Sequence, residues 1–88
     1  LYVVSINMSK KDKVIKKIKQ NPSGVRFREI ESLLLGLGFT KRQSGSSHCI
    51  YRKEDKIIMI VKPHKGEKFT ALVDVKKVLK YLEEIGYV

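Results

Sequence analysis

The chain has 88 residues, 19 of them Lys or Arg against 9 Asp or Glu, for a net charge of +10. It is too short to fill two cores, yet its 42% apolar content is ordinary for a folded protein, which excludes charge-driven disorder. One cysteine excludes an intramolecular disulfide and a cysteine-based zinc site and suits a reducing cytosol, and no apolar run reaches the roughly 18 residues of a membrane-spanning helix.

Leu1 to Asn7 is too short for a secretory signal and has no basic n-region. Met8 followed by Ser9-Lys10-Lys11 looks like a natural start. Residues 1–9 are therefore set apart as a leader without a function of its own, and 10–88 are read as a single domain. Residues 10–20 place Val14, Ile15 and Ile18 on a narrow stripe among lysines, which predicts a short basic amphipathic helix. Those lysines are either a solvated face or an electrostatic arm along a nucleic-acid backbone. Asn21-Pro22-Ser23-Gly24 ends the helix in a turn.

Phe27, Ile30, Leu33, Leu34 and Leu37 recur at helical spacing and predict a second helix with one apolar stripe. Gly38 follows it and can take the left-handed conformation that closes a helix. Phe39 to Gln43 suits a short strand with basic side chains on at least one side. Ser44 to Ser47 is a turn in which Gly45 permits positive φ. From His48 the period becomes two, with His48, Ile50 and Arg52 on one side and Cys49, Tyr51 and Lys53 on the other. Glu54-Asp55 is the next hairpin turn. Lys56 to Lys62 is an apolar, β-branched run of strand length and is expected to be well buried. After the loop from Pro63 to Lys68, a last helix carries Val75, Val78, Leu79, Leu82 and Ile85 on one stripe. Gly86 is its stop, and Asp74 sits favourably in its first turn.

Three strands joined by tight turns form an antiparallel meander, since parallel pairing needs a long crossover. The expected fold is α+β: an α-β-β-β-α two-layer sandwich with a three-stranded antiparallel sheet, plus a short extra N-terminal helix. Cys49 and Tyr51 are assigned to the helix-covered side of the sheet. His48 and Arg52 then face open solvent, with Ile50 on that side as the cost.

Gly45-Ser46-Ser47-His48, between Lys41-Arg42 and the strand Cys49 to Arg52, is the stretch richest in chemistry. A small-residue loop beside cations can bind phosphate, and a histidine can move a proton near neutral pH. Without metal, RNA is cut when its 2′-hydroxyl attacks the adjacent phosphate, which needs a base, an acid and cations around the phosphorane. His48 can act as base or acid. His64 is a second candidate, although a loop histidine more commonly stabilises its turn or touches phosphate. Lys41, Arg42, Arg52, Lys62 and Lys65 can supply the positive field or be solvated surface. Gly45, Ser46 and Ser47 can bond a phosphate oxygen or only shape the turn. Cys49 reads as a small buried apolar residue rather than a nucleophile, and Tyr51 as core rather than a stacking platform. No paired-carboxylate, His-Glu-x-x-His, P-loop or Cys/His ligand spacing is present, so neither a metal nor another cofactor is expected.

The α-β-β-β-α order resembles the double-stranded RNA-binding domain. With Gly-Ser-Ser-His opening the second strand, the chain is more similar to the HicA family of toxins, bacterial mRNA interferases. The resemblance runs from about Arg26 to Gly86. It includes Gly38-Phe39, the segment Gly45 to Arg52, the Pro63-His64-Lys65-Gly66 loop and the helix Val75 to Gly86; the basic helix before Asn21 lies outside it. In that family the histidine closing the motif is catalytic, which implies that role for His48. Many members carry two adjacent histidines, and Ser47 stands in the first of those places here. The resemblance further implies cleavage of mRNA without a metal and neutralisation by a HicB-type antitoxin. The alternative is a non-catalytic RNA-binding module of the same fold, which keeps the charge and drops the histidine chemistry. A basic face that meets only an acidic protein partner is a third reading.

Overall fold

A computed structural model describes residues 9–43 and 47–87. Helix α1 (Lys10–Gln20) opens on a capping box in which the Ser9 hydroxyl accepts from the Asp12 N–H and the Asp12 carboxylate accepts from the Ser9 N–H. A 3-10 turn at Pro22–Gly24 leads to α2 (Phe27–Gly36). Gly38, at φ +99°, closes α2 as the sequence predicts. The Phe39 N–H donates to Leu34 O and the Gly38 N–H to Leu35 O, the paired bonds of a Schellman motif.

Strands β1 (Thr40–Gln43), β2 (His48–Lys53) and β3 (Lys56–Val61) form one antiparallel sheet in the order β1-β2-β3, and α3 (Leu72–Glu84) follows. This is the α+β layout expected from the sequence. The β2–β3 turn falls at Glu54-Asp55, and Glu54 takes the left-handed conformation at φ 53° that a tight connection needs.

Ile30, Leu33 and Leu34 of α2 and Val75, Val78 and Leu82 of α3 share one core with Cys49, Tyr51, Ile58 and Ile60 of the sheet. Ile15 and Ile18 seat α1 on the helical layer, against α2 and α3. Cys49 and Tyr51 are buried, so the helices cover the side of β2 predicted for them. The expectation of a well-buried β3 is corrected. Ile58 and Ile60 are buried, but Ile57 is 60% and Met59 39% exposed. Two helices cover a single face of the sheet, so alternate residues of even an apolar strand meet solvent.

The outer edge of β3 is closed by α3. The Asp74 carboxylate, buried in the first turn of α3, accepts the Val61 N–H at 3.0 Å, and Lys77 donates to Met59 O at 3.0 Å. Asp74 and Lys77 also pair with each other at 3.0 Å. These side chains occupy backbone groups that an edge strand would otherwise offer to another chain.

Candidate active site on the open sheet face

Directly paired residues of an antiparallel sheet share a face. Cα pairing sets His48 opposite Val61, Ile50 opposite Arg42 and Met59, and Arg52 opposite Thr40 and Ile57. The uncovered face therefore presents Thr40 and Arg42 from β1, His48, Ile50 and Arg52 from β2, and Ile57, Met59 and Val61 from β3. None of these strand residues is acidic. His48, Arg42 and Arg52 are all exposed. Arg42 is diagonal to Arg52 and two residues short of the position opposite His48, a spacing of about 7–8 Å between diagonal positions that long side chains bridge. A shallow hollow of about 440 Å³ lies beside the two arginines, bordered by Ile50 and Ile57.

His48 is the first residue of β2, and its backbone is held against the end of β3. Val61 is its Cα partner, and the Lys62 N–H donates to Ser47 O at 2.7 Å. Through the Asp74 bond to Val61, α3 fixes the strand end that faces His48.

Lys41 is taken to the other side of the sheet. It pairs with Glu31 of α2 and stands 5.8 Å from the centre of the Phe27 ring. Glu31 also accepts the Tyr51 hydroxyl at 2.6 Å. Partial burial raises the Glu31 pKa, but hydrogen bonds from Lys41 and Tyr51 and the charges of Lys41 and Lys62 outweigh it and hold the carboxyl below its usual value. The same contact raises the pKa of Lys41. Burial first, and then the Glu31 carboxylate, push the Tyr51 hydroxyl far up, so it remains a donor.

Lys62, His64 and Lys65 follow β3 as exposed residues, and the His64 N–H is accepted by Glu67 at 3.0 Å. Ser47 is half-buried at the turn before β2, while Gly45 and Ser46 lie outside the described residues. The structure thus brings His48, Arg42 and Arg52 to one face and places Lys41 on the opposite one. The contacts of Glu31, and the bond from Val61 to Asp74, are not visible in the sequence. Asp74 reads in sequence only as a complement to its helix dipole, and Glu31 carries no local signal for partners that arrive from the sheet.

The family model described as the HicA toxin of bacterial toxin-antitoxin matches residues 27–70. The chain belongs to the HicA toxin family. No curated protein and no solved structure matches it. The matched span runs from the first residue of α2 through the sheet to the loop before α3 and so contains the His48 face. Membership in HicA makes this the toxin of a toxin–antitoxin pair and implies an antitoxin partner. Among the described residues no cluster of His, Cys, Asp and Glu reaches the three that could hold a metal, and no helix is long and apolar enough to cross a membrane.

Proposed function

We propose that this HicA toxin is a metal-independent endoribonuclease acting on mRNA, with His48 as its proton-transfer residue. The observation that carries the reading is the exposure of His48 on a sheet face whose described strand residues include Arg42 and Arg52 and no acidic residue. Such a face attracts a phosphodiester to the strand that carries the histidine.

In the reaction, the 2′-oxygen bonds to the adjacent phosphorus as the bond to the 5′-oxygen breaks. The 2′-hydroxyl proton passes to a base, and an acid protonates the leaving 5′-oxygen, giving a 2′,3′-cyclic phosphate and a free 5′-hydroxyl. Neutral imidazole of His48 serves the first transfer, or its protonated form the second. Arg42 and Arg52 meet the non-bridging oxygens, whose charge grows in the transition state.

The antitoxin, of the HicB type, neutralises by covering this face. Ile57, Met59 and Val61 beside the arginines suit an occupant with apolar side chains and an acidic rim. The test is expression of the toxin and of His48→Ala in bacteria, together with incubation of each purified protein with RNA. Wild type arrests growth and cuts RNA in EDTA, and His48→Ala does neither. RNA binding by both proteins without cleavage by either would favour the non-catalytic module instead.

A further inference from the structure

Lys62 joins two surfaces. Its backbone N–H bonds Ser47 O, next to His48, while its side chain lines a hollow of about 340 Å³ on the helical side, between the first turn of α2 and the loop after β3. Arg26, Arg28 and Lys68 also line this hollow, and all are exposed. A second hollow, about 280 Å³, shares Arg28 and Glu29 with the first and adds Lys10 and Lys13 of α1. The cations therefore follow one track from the start of β2 to the N-terminal helix.

Among the described residues, Glu29 and Glu67 are the carboxylates that line the two hollows, and each accepts a hydrogen bond. Glu29 receives the Lys17 ammonium at 2.9 and 3.0 Å and the Arg26 N–H at 2.9 Å. Burial raises its pKa, but these partners outweigh that and keep it ionised and neutralised by Lys17. Glu67 accepts the His64 N–H. The half-buried Phe27 lines the same hollow. A protein interface has an apolar centre and a charged rim. A length of cations with an aromatic ring beside it is the pattern of a channel for single-stranded nucleic acid.

We propose that this track holds the backbone of single-stranded RNA on one side of the bond presented to His48, with Arg28 at its middle. The inference rests on RNA being the substrate of the toxin. It assigns Arg26, Arg28 and Lys68, with Lys10 and Lys13, to phosphate binding at a distance from the chemistry, and the RNA passes from the open sheet face around the end of the sheet at Lys62.

The test uses His48→Ala as the parent, so that RNA is bound and not consumed, and measures anisotropy of a labelled unstructured oligoribonucleotide from about 50 to about 300 mM salt. Each single-strand phosphate contact contributes about 0.7 to the log–log salt slope. Adding Arg28→Gln and Lys68→Gln together is expected to flatten the slope by about 1.4 and weaken binding about 25-fold at 0.1 M salt. Arg28→Lys with Lys68→Arg should restore both. Lys76→Gln with Lys80→Gln, exposed on α3 and off the track, should leave the slope unchanged.

An unchanged slope in the track variant, or an equal loss in the α3 variant, overturns the proposal. Loss of antitoxin binding with RNA binding intact overturns it in favour of a protein surface. If wild type cuts no RNA but the track variant shows the expected slope, the endoribonuclease reading falls and the track stands. If the parent binds no RNA, both fall.

Discussion

Tyr51→Phe tests the strand register on which the site depends. The Tyr51 ring is fully buried on the helical side of β2, and its hydroxyl donates to Glu31 at 2.6 Å. Phenylalanine keeps the ring packing and removes only that bond. A hydrogen bond to a charged group contributes about 1.5–3 kcal/mol. Glu31 retains Lys41 and its side chain is 25% exposed, so water can reach the vacated oxygen. The expected loss therefore sits at the low end, about 1.5 kcal/mol. With a urea m-value of about 1 kcal/mol/M for a small domain, the midpoint falls by about 1.5 M. The corresponding drop in Tm is roughly 6–12 °C. RNA cleavage measured well below the melting range should be unaffected, because Tyr51 and His48 point to opposite faces. A shift under about 0.5 kcal/mol, the level of an ordinary surface substitution, would refute the buried hydrogen bond. Loss of cleavage with stability intact would place Tyr51 on the RNA face and reverse the register.

Glu31 links the same network to pH. Its pKa in the fold lies below the usual 4.5, so its contribution to stability is complete above that value and is lost as the pH falls through the folded pKa. Urea unfolding should show wild type losing more stability than Glu31→Gln between about pH 5 and about pH 3. Asp74→Ala leaves the Val61 N–H and Lys77 without the carboxylate, and should cost about 1–3 kcal/mol in urea unfolding. It should also speed hydrogen exchange at the Val61 amide. Arg42→Gln should slow single-turnover cleavage about 100-fold, as expected for loss of one preorganised group on the phosphorane, while leaving the urea midpoint unchanged.

Signals contained within one element were legible. The stripe from Phe27 to Leu37 and the glycine at 38 predict both α2 and its closure, since a Schellman motif needs only a local residue that tolerates positive φ. The alternation from His48 to Arg52 separates the buried from the exposed side of β2, because one choice buries Cys49 and Tyr51 and the other would bury a histidine and an arginine. What depends on the third dimension was not legible. The continuous apolar run of β3 does not reveal that Ile57 and Met59 face solvent, because the number of covering layers is not written in a single strand. Lys41 and Arg42 are adjacent cations of equal charge, yet Glu31 draws one to the helices and leaves the other beside the His48 strand. Asp74 resembles any acid in a first helical turn until β3 is set against it.

The most direct test of the central claim is single-turnover cleavage of an end-labelled RNA by purified wild type and His48→Ala in EDTA, with product ends identified. Loss of a positioned acid or base costs about 10²–10⁴ in rate. His48→Ala should show a fall within that range with RNA affinity unchanged, and wild type should give products that end in a 2′,3′-cyclic phosphate opposite a free 5′-hydroxyl. Equal rates for the two proteins, or dependence of the wild-type rate on a divalent cation, would contradict it.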